Sequence, residues 1–357
     1  HCVLLIVSLC VCVLFRLLLC SLCSLLLIPY SFRRQRRMCL RDRYLDGRED
    51  LRDLPFVTID SAETRDLDDA LWAQSNAQGW LLKVAVADPG AVIAPGSPTD
   101  IAAKQRASSV YLPGFTQPMI PNSISQGACS LLADEDRAAI VCTLQVGIDG
   151  DISDIQFSEA LIRSHAKLSY TDVHAHIHGE MDLGYPALNE LYAASQALNR
   201  YRREHHIVMP EQADFHFQLN EHRKIEAIIK VERNDAHRLV EECMLAANRS
   251  VAEWLGDAPA LFVSHAGLRE DRLDNVRKVI AKELPELIDC DISSLEGYKA
   301  LIKACDASES SLPLRSIFAR MLQPGSISAE PKPHFGLGLE RYSTFTSPLR
   351  KYSDLIA

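Results

Sequence analysis

The sequence predicts an α+β domain over residues 50–357, a mixed β-sheet surrounded by helices. Three observations lead there. Two β-rich runs, "LPFVTID" and "WLLKVAVAD", each end in an aspartate, as strands do when they deliver a side chain to a rim. The run "RAAIVCTLQVGIDGDI" breaks at Asp149-Gly150, a turn dipeptide, and extended sequence follows it. In "NDAHRLVEECMLAANRSVAEWLG" apolar residues recur at helical spacing between a capping Asn and a terminal Gly.

Taken in order, "LPFVTID" is a strand that runs into an acidic loop holding Asp66, Asp68 and Asp69. Residues 80–88 form the next strand. "TDIAAKQRASSVYL" (99–112) reads as a helix with a capping Thr or Asp, stopped by Pro113. "DIQFSEALIRSHAKLSY" continues the sheet as one strand or a strand pair. "HAHIHG", with His174, His176 and His178, reads as a polar loop, having no Cys or carboxylate at metal-ligand spacing. Residues 184–206 form a polar helix, and "FHFQLNEHRKIEAIIKV" alternates like a hairpin turning near Glu221 and His222. The clearest helix follows, capped by Asn234 or Asp235, with Leu239, Cys243, Ala246 and Ala247 on its buried face and Gly256 at its end. The last hundred residues read mainly as helices.

Charge and cysteine separate the first 40 residues from the rest. They hold five arginines and no acid, while the remainder balances 33 basic against 47 acidic residues. So acidic a body excludes nucleic-acid binding by overall charge and requires a locally basic groove for it. Six of eleven cysteines lie before residue 40, and the other five are scattered, as expected of buried thiols in a reducing compartment. Residues 1–30 are long and apolar enough to span a bilayer, with "RRQRR" following as an anchor would. Arg16 near the middle, a first residue that is not Met, and Met38 as a start favour a reading-frame or gene-boundary artefact over a membrane anchor. Residues 1–37 are therefore set apart, with 38–49 as a linker.

The chemistry concentrates in "FVTIDSAETRDLDDAL", where Asp60, Asp66, Asp68 and Asp69 fall within ten residues. Neighbouring carboxylates resist ionisation together unless a cation joins them. Mg²⁺ prefers oxygen ligands and keeps waters that can become nucleophiles, so four carboxylates suit one or two such ions at a phosphodiester. An EF-hand loop is excluded, because Arg65 and Leu71 stand where its Gly and Glu belong. A solvated acidic turn is an equal alternative on spacing alone.

The blocks "FVTIDSAETRDLDDA", "VAVADPGAVIAPGS", "SSVYLPGFTQPMIP", "CSLLADEDRAAIVC", "SHAKLSY", "VEECMLAAN" and "PHFGLGLERYSTFTSPLRKYSDL" occur in this order. Together they resemble the catalytic (RNB) domain of the ribonuclease II family across residues 50–357. "ADPG", "YLPGF" and "HFGLGLE" look more like the ribonuclease II branch than the ribonuclease R branch. The resemblance implies a processive, cytoplasmic, monomeric 3′-to-5′ exoribonuclease acting on single-stranded RNA without preference for DNA. It would release nucleoside 5′-monophosphates with Mg²⁺, or Mn²⁺ in its place. It further implies Asp60, Asp66, Asp68 and Asp69 as metal ligands, Asp68 and Asp69 as catalytic, and Arg350 at the scissile phosphate.

By the same resemblance, Tyr111 stacks on a base near the 3′ end, while Tyr170 and Glu241 contact the ribose and distinguish RNA from DNA. Met209 stands where the family has a second stacking aromatic, with Phe215 or Phe217 as substitutes. No cold-shock domain precedes residue 50, and the family's signature continues beyond Ala357 into an S1 domain, so a fragment is expected. Two other functions stay open at this point: an RNA-binding shell that does not cut, and a phosphodiesterase acting on DNA or short oligonucleotides. "GLGLE" (336–340) is too loose to be a phosphate loop.

Overall fold

The computed structural model describes residues 47–209 and 214–357, so the apolar segment 1–37 and nearly all of the linker lie outside the described residues. Among the described residues no helix is long and apolar enough to cross a membrane.

Six strands make the main sheet: β1 (Glu49–Asp50), β2 (Phe56–Asp60), β3 (Asp69–Asn76), β4 (Gly79–Ala87), β7 (Asp136–Gly147) and β8 (Ile152–Ser169), in the order β1-β8-β2-β3-β4-β7. β8 pairs antiparallel with β7 through residues 152–163 and parallel with β2 through 164–169. The ladder therefore closes on itself, and the long β8 serves three neighbours, β7, β2 and the two-residue β1. Closure leaves few unpaired strand edges. At the β7–β8 turn Gly150 has φ of 88°, and a Cβ there would meet Ala197 O at 2.0 Å, so only glycine fits.

Both faces of these strands are covered, which explains their nearly unbroken apolar sequence. One face presents Leu71, Ala73, Val84, Val86, Cys142 and Leu144 to helices α3 (Ala187–His205) and α4 (Asp235–Leu255), after the short α2 (Tyr170–Ile177). The other buries Phe56, Ala70, Trp72, Ala85 and Val141 with Met119 and Ile120 and with Ala103 of α1 (Pro98–Arg106). A third cluster forms around Tyr298, Phe318 and Phe335, among α5 (Leu273–Glu283), α6 (Leu295–Ala307) and α7 (Leu314–Ala319). Two hairpins are exposed: β5 (Val110–Leu112) with β6 (Phe115–Gln117), and β9 (Asp214–Leu219) with β10 (Ile225–Val231).

Four expectations need correction. The acidic loop ends one residue early, because Asp69 opens β3, an eight-residue strand paired with β4 from Asp69↔Val86 to Asn76↔Gly79. The helix expected over 99–112 stops at Arg106: Ala107 has φ of 61°, and the chain turns out into β5. "HAHIHG" is not a loop, since α2 starts on a Ser169 cap that accepts the Asp172 N–H and carries His174 and His176, with His178 at its C-cap. The C-terminal region also contains a small sheet, β11 (Phe262–His265) with β12 (Gly325–Ser328).

Candidate active site

The four aspartates are supplied by the end of β2, the connection after it and the start of β3. Asp60 Oδ1 accepts the Ser61 N–H at 2.7 Å and the Thr64 hydroxyl at 2.9 Å, which ties the connection back on the strand end. Leu67 is 2% exposed, and its N–H and C=O are both engaged, by Ser130 Oγ and Leu131 N. This buried anchor between Asp66 and Asp68 excludes the solvated acidic turn. Asp68 itself is 3% exposed.

Asp68 is held from the far end of the chain. Its Oδ1 accepts the Leu349 N–H at 2.8 Å, 281 residues away, and its Oδ2 meets Arg350 Nε at 3.0 Å. The loop bearing Arg350 is fixed in turn. Asn248 of α4 accepts the Phe345 N–H and donates to Thr346 Oγ1, and buried Asp354 accepts the Ser347 N–H and the Thr344 hydroxyl. The guanidinium is half-exposed, so one edge faces Asp68 while the rest remains open.

Burial pushes the Asp68 carboxyl up to about 8 against the pull of Arg350 and the Leu349 N–H, with Asp69 and Asp66 adding to the rise. Asp69 is pushed up to about 7, by burial first and then by Asp60. Burial would lower Arg350, but Asp68, Tyr111, Asp69 and Asp60 outweigh it and raise its pKa. One guanidinium thus faces three carboxyls, Asp68, Asp69 and Asp60, the first two of which resist ionisation. That is an all-oxygen donor set short of positive charge, and a hard dication fits it. No three of these aspartates bring oxygens within 4.8 Å of one another; among the described residues that spacing occurs only at His174, His178 and Asp235.

The remaining expected residues divide into two groups. Tyr111, on the exposed β5–β6 hairpin, donates its hydroxyl to Asp66 Oδ2 at 3.1 Å, and burial followed by Asp66 pushes its phenol up to about 12. Tyr170 opens α2, stacked on His237 at 3.9 Å and 15°. Burial raises its phenol, and Asp60 and Asp69 add to the rise, so it borders the carboxylates. Glu241 and Met209 instead line a groove of about 660 Å³ beside them. There Glu241 pairs with Arg233, and with Arg202 at 3.6 Å. Seven cations, Arg202, Arg203, Arg233, Arg238, Lys299, Lys303 and Arg315, outnumber the four carboxylates Asp235, Glu241, Glu242 and Asp306 here and make this groove basic on an acidic molecule. Arg233 links the two groups, since its charge also acts on the Tyr170 phenol. Phe215 and Phe217 lie exposed on β9, whose Leu219 abuts Gly114 at the tip of Tyr111's hairpin.

Sequence reasoning missed the Leu349 N–H, Arg202, Arg233, His237 and the Asn248 and Asp354 ties. A backbone donor leaves no trace in residue type. The arginines were distant in sequence from the motif that needed them.

Comparison with known proteins agrees with this architecture. Exoribonuclease 2 of Klebsiella pneumoniae is 40% identical over 319 residues, covering 87% of this chain and 49% of that protein. Ribonuclease R of Escherichia coli is 37% identical over 318 residues, covering 87% and 39%. The chain therefore spans about half the length of the first and less of the second. Among solved structures, Mycoplasma genitalium RNase R in complex with ribose-methylated single-stranded RNA superposes with a TM-score of 0.78 at 25% identity, over 93% of this chain and 54% of that one. The RNB domain pattern matches residues 48–357, and the chain belongs to the RNB domain family.

Proposed function

We propose that this domain hydrolyses single-stranded RNA from its 3′ end, one nucleoside 5′-monophosphate at a time, at the centre formed by Asp60, Asp66, Asp68, Asp69 and Arg350. The observation that carries the reading is the buried Asp68, tied to Leu349 and Arg350 amid three further carboxyls. Asp60, Asp66, Asp68 and Asp69 would hold Mg²⁺, or Mn²⁺ in its place. Bound there, the ion supplies Lewis-acid polarisation of a phosphoryl oxygen and a water of lowered pKa.

The protein's own groups do the rest. Arg350, fixed on one edge by Asp68, turns its free N–H groups to the charge that gathers on the phosphoryl oxygens during displacement. The exposed ring of Tyr111 stacks on a base near the 3′ end without regard to sequence, worth about 1–3 kcal/mol per stack. Tyr170 and Glu241 offer a phenol and a carboxylate to ribose 2′-hydroxyls, which only RNA carries. Met209 covers a base with a thioether. The excess of cations over carboxylates in the groove offsets phosphate charge along the strand. DNA is not preferred, one chain suffices for the site, and the five free cysteines at 129, 142, 243, 290 and 305 accord with the cytoplasm.

The test is a 3′-to-5′ shortening assay on an end-labelled single-stranded oligoribonucleotide, with and without Mg²⁺. Mg²⁺-dependent release of nucleoside monophosphates supports the proposal. A metal-independent gel shift without shortening would overturn it in favour of RNA binding alone.

A further inference from the structure

We propose that His174, His178 and Asp235 form a binding site for a transition-metal dication of the Zn²⁺ class, separate from the aspartate centre. The two histidines are four residues apart, His174 on α2 and His178 at its C-cap, on the side that also carries Tyr170 one turn earlier. Asp235 comes from the first turn of α4 and meets them across the helix–helix contact. His178 Nε2 is 2.8 Å and His174 Nδ1 3.9 Å from Asp235 Oδ2, and all three ligand atoms lie within 4.8 Å of one another. A tetrahedral ion with bonds of about 2.0–2.1 Å spaces its donors roughly 3.3 Å apart, so small ring rotations complete the set.

A second observation points the same way. His174 Nδ1 is shielded from solvent and has no hydrogen-bond partner. An orphaned imidazole nitrogen aimed at a carboxylate and a second imidazole is short of one acceptor of its lone pair, and a metal ion supplies it. The site is otherwise well prepared. Arg238 takes Asp235 Oδ1 at 2.9 Å, which orients the carboxylate and keeps Oδ2 turned to the histidines, where it now meets His178 Nε2. Side-chain exposures of 38% and 45% for His174 and His178 leave a route in from solvent and room for water as a fourth ligand. Two imidazoles and one carboxylate select Zn²⁺, Co²⁺ or Ni²⁺ over Mg²⁺.

Occupancy would pin α2 to the start of α4, where Asn234 already donates to the Tyr170 carbonyl and His237 stacks on the Tyr170 ring. The site stands whether or not the nuclease reading does, and its test uses no turnover.

Zn²⁺ and Co²⁺ are titrated into the whole chain in excess Mg²⁺, which occupies oxygen sites and competes poorly for imidazole. Because the chain has eleven cysteines, the readout is the difference between wild type and variant. The expected result is a Zn²⁺-dependent rise in melting temperature and tetrahedral Co²⁺ absorption. In His178→Gln and His174→Gln both effects are lost, Zn²⁺ affinity falls at least about tenfold, and thiolate-to-metal bands are unchanged. His222→Ala, on the exposed β9–β10 turn, should bind as wild type. Equal Zn²⁺ affinity and an equal Co²⁺ spectrum in wild type and both variants would overturn the site. Should a histidine variant fail to fold, Asp235→Asn takes its place with the same two outcomes.

Discussion

Arg350 is the residue whose chemistry is most sharply defined by its surroundings. Its Nε faces Asp68 while the rest of the guanidinium stays open, an arrangement a lysine cannot reproduce because its charge is a single point. Arg350→Lys should therefore lower kcat on single-stranded RNA by about 10²-fold with little change in RNA affinity, a split that single-turnover kinetics reads. Glu241 makes a different contribution. On the proposed reading, its pairs with Arg233 and Arg202 orient a carboxylate for a ribose hydroxyl. A hydrogen bond to a charged group is worth about 1.5–3 kcal/mol, so Glu241→Ala should narrow the ratio of RNA to DNA cleavage by about tenfold or more. An unchanged ratio would remove Glu241 from ribose recognition.

At the scale of elements, the site depends on how α4 grips the loop before Arg350. Asn248 is buried and bonds both Phe345 and Thr346. Asn248→Ala leaves the Phe345 N–H unsatisfied, which costs about 1–3 kcal/mol. Urea denaturation should show that loss, and kcat should fall because Arg350 is no longer held. The elements also show why some structure was legible in sequence and some was not. β2, β4, β7, β8, α3 and α4 announce themselves by periodicity and caps, Asn234 accepting the His237 N–H as the cap rule requires. β3 is hidden because "DALWAQSN" follows an acidic stretch and places Trp72 and Leu71 on opposite faces, both buried. Alternation fails as a signal when both faces are covered. α2 was obscured by its histidines, and the carboxylate that completes their cluster is 57 residues beyond His178. Ala107 ends α1 through a backbone angle that Ala rarely adopts, so no residue type marked the boundary. The four aspartates and Arg350 were legible as motifs; their juxtaposition through the Leu349 N–H was not.

For the whole molecule, burial of His206 and His334 sets a pH limit. Each is lowered from 6.5 to about 4, by burial first, then by Arg249 at His206 and by His265 at His334. Below about pH 6.5 the unfolded chain takes up protons that these folded imidazoles refuse, so their contribution to stability falls between about 6.5 and 4 and is constant above. Asp68 and Asp69 act in the opposite sense, being harder to ionise when folded, and saturating Mg²⁺ offsets that. In Mg²⁺, urea midpoints should therefore decline through that window, and the decline should be shallower in His334→Asn. Phosphodiester cleavage is proposed at the aspartate centre around the buried Asp68. Its most direct measurement is paired RNA binding and nucleoside 5′-monophosphate release by wild type and Asp68→Asn in Mg²⁺. The variant should retain RNA and release no product; release at the wild-type rate would remove Asp68 from the chemistry.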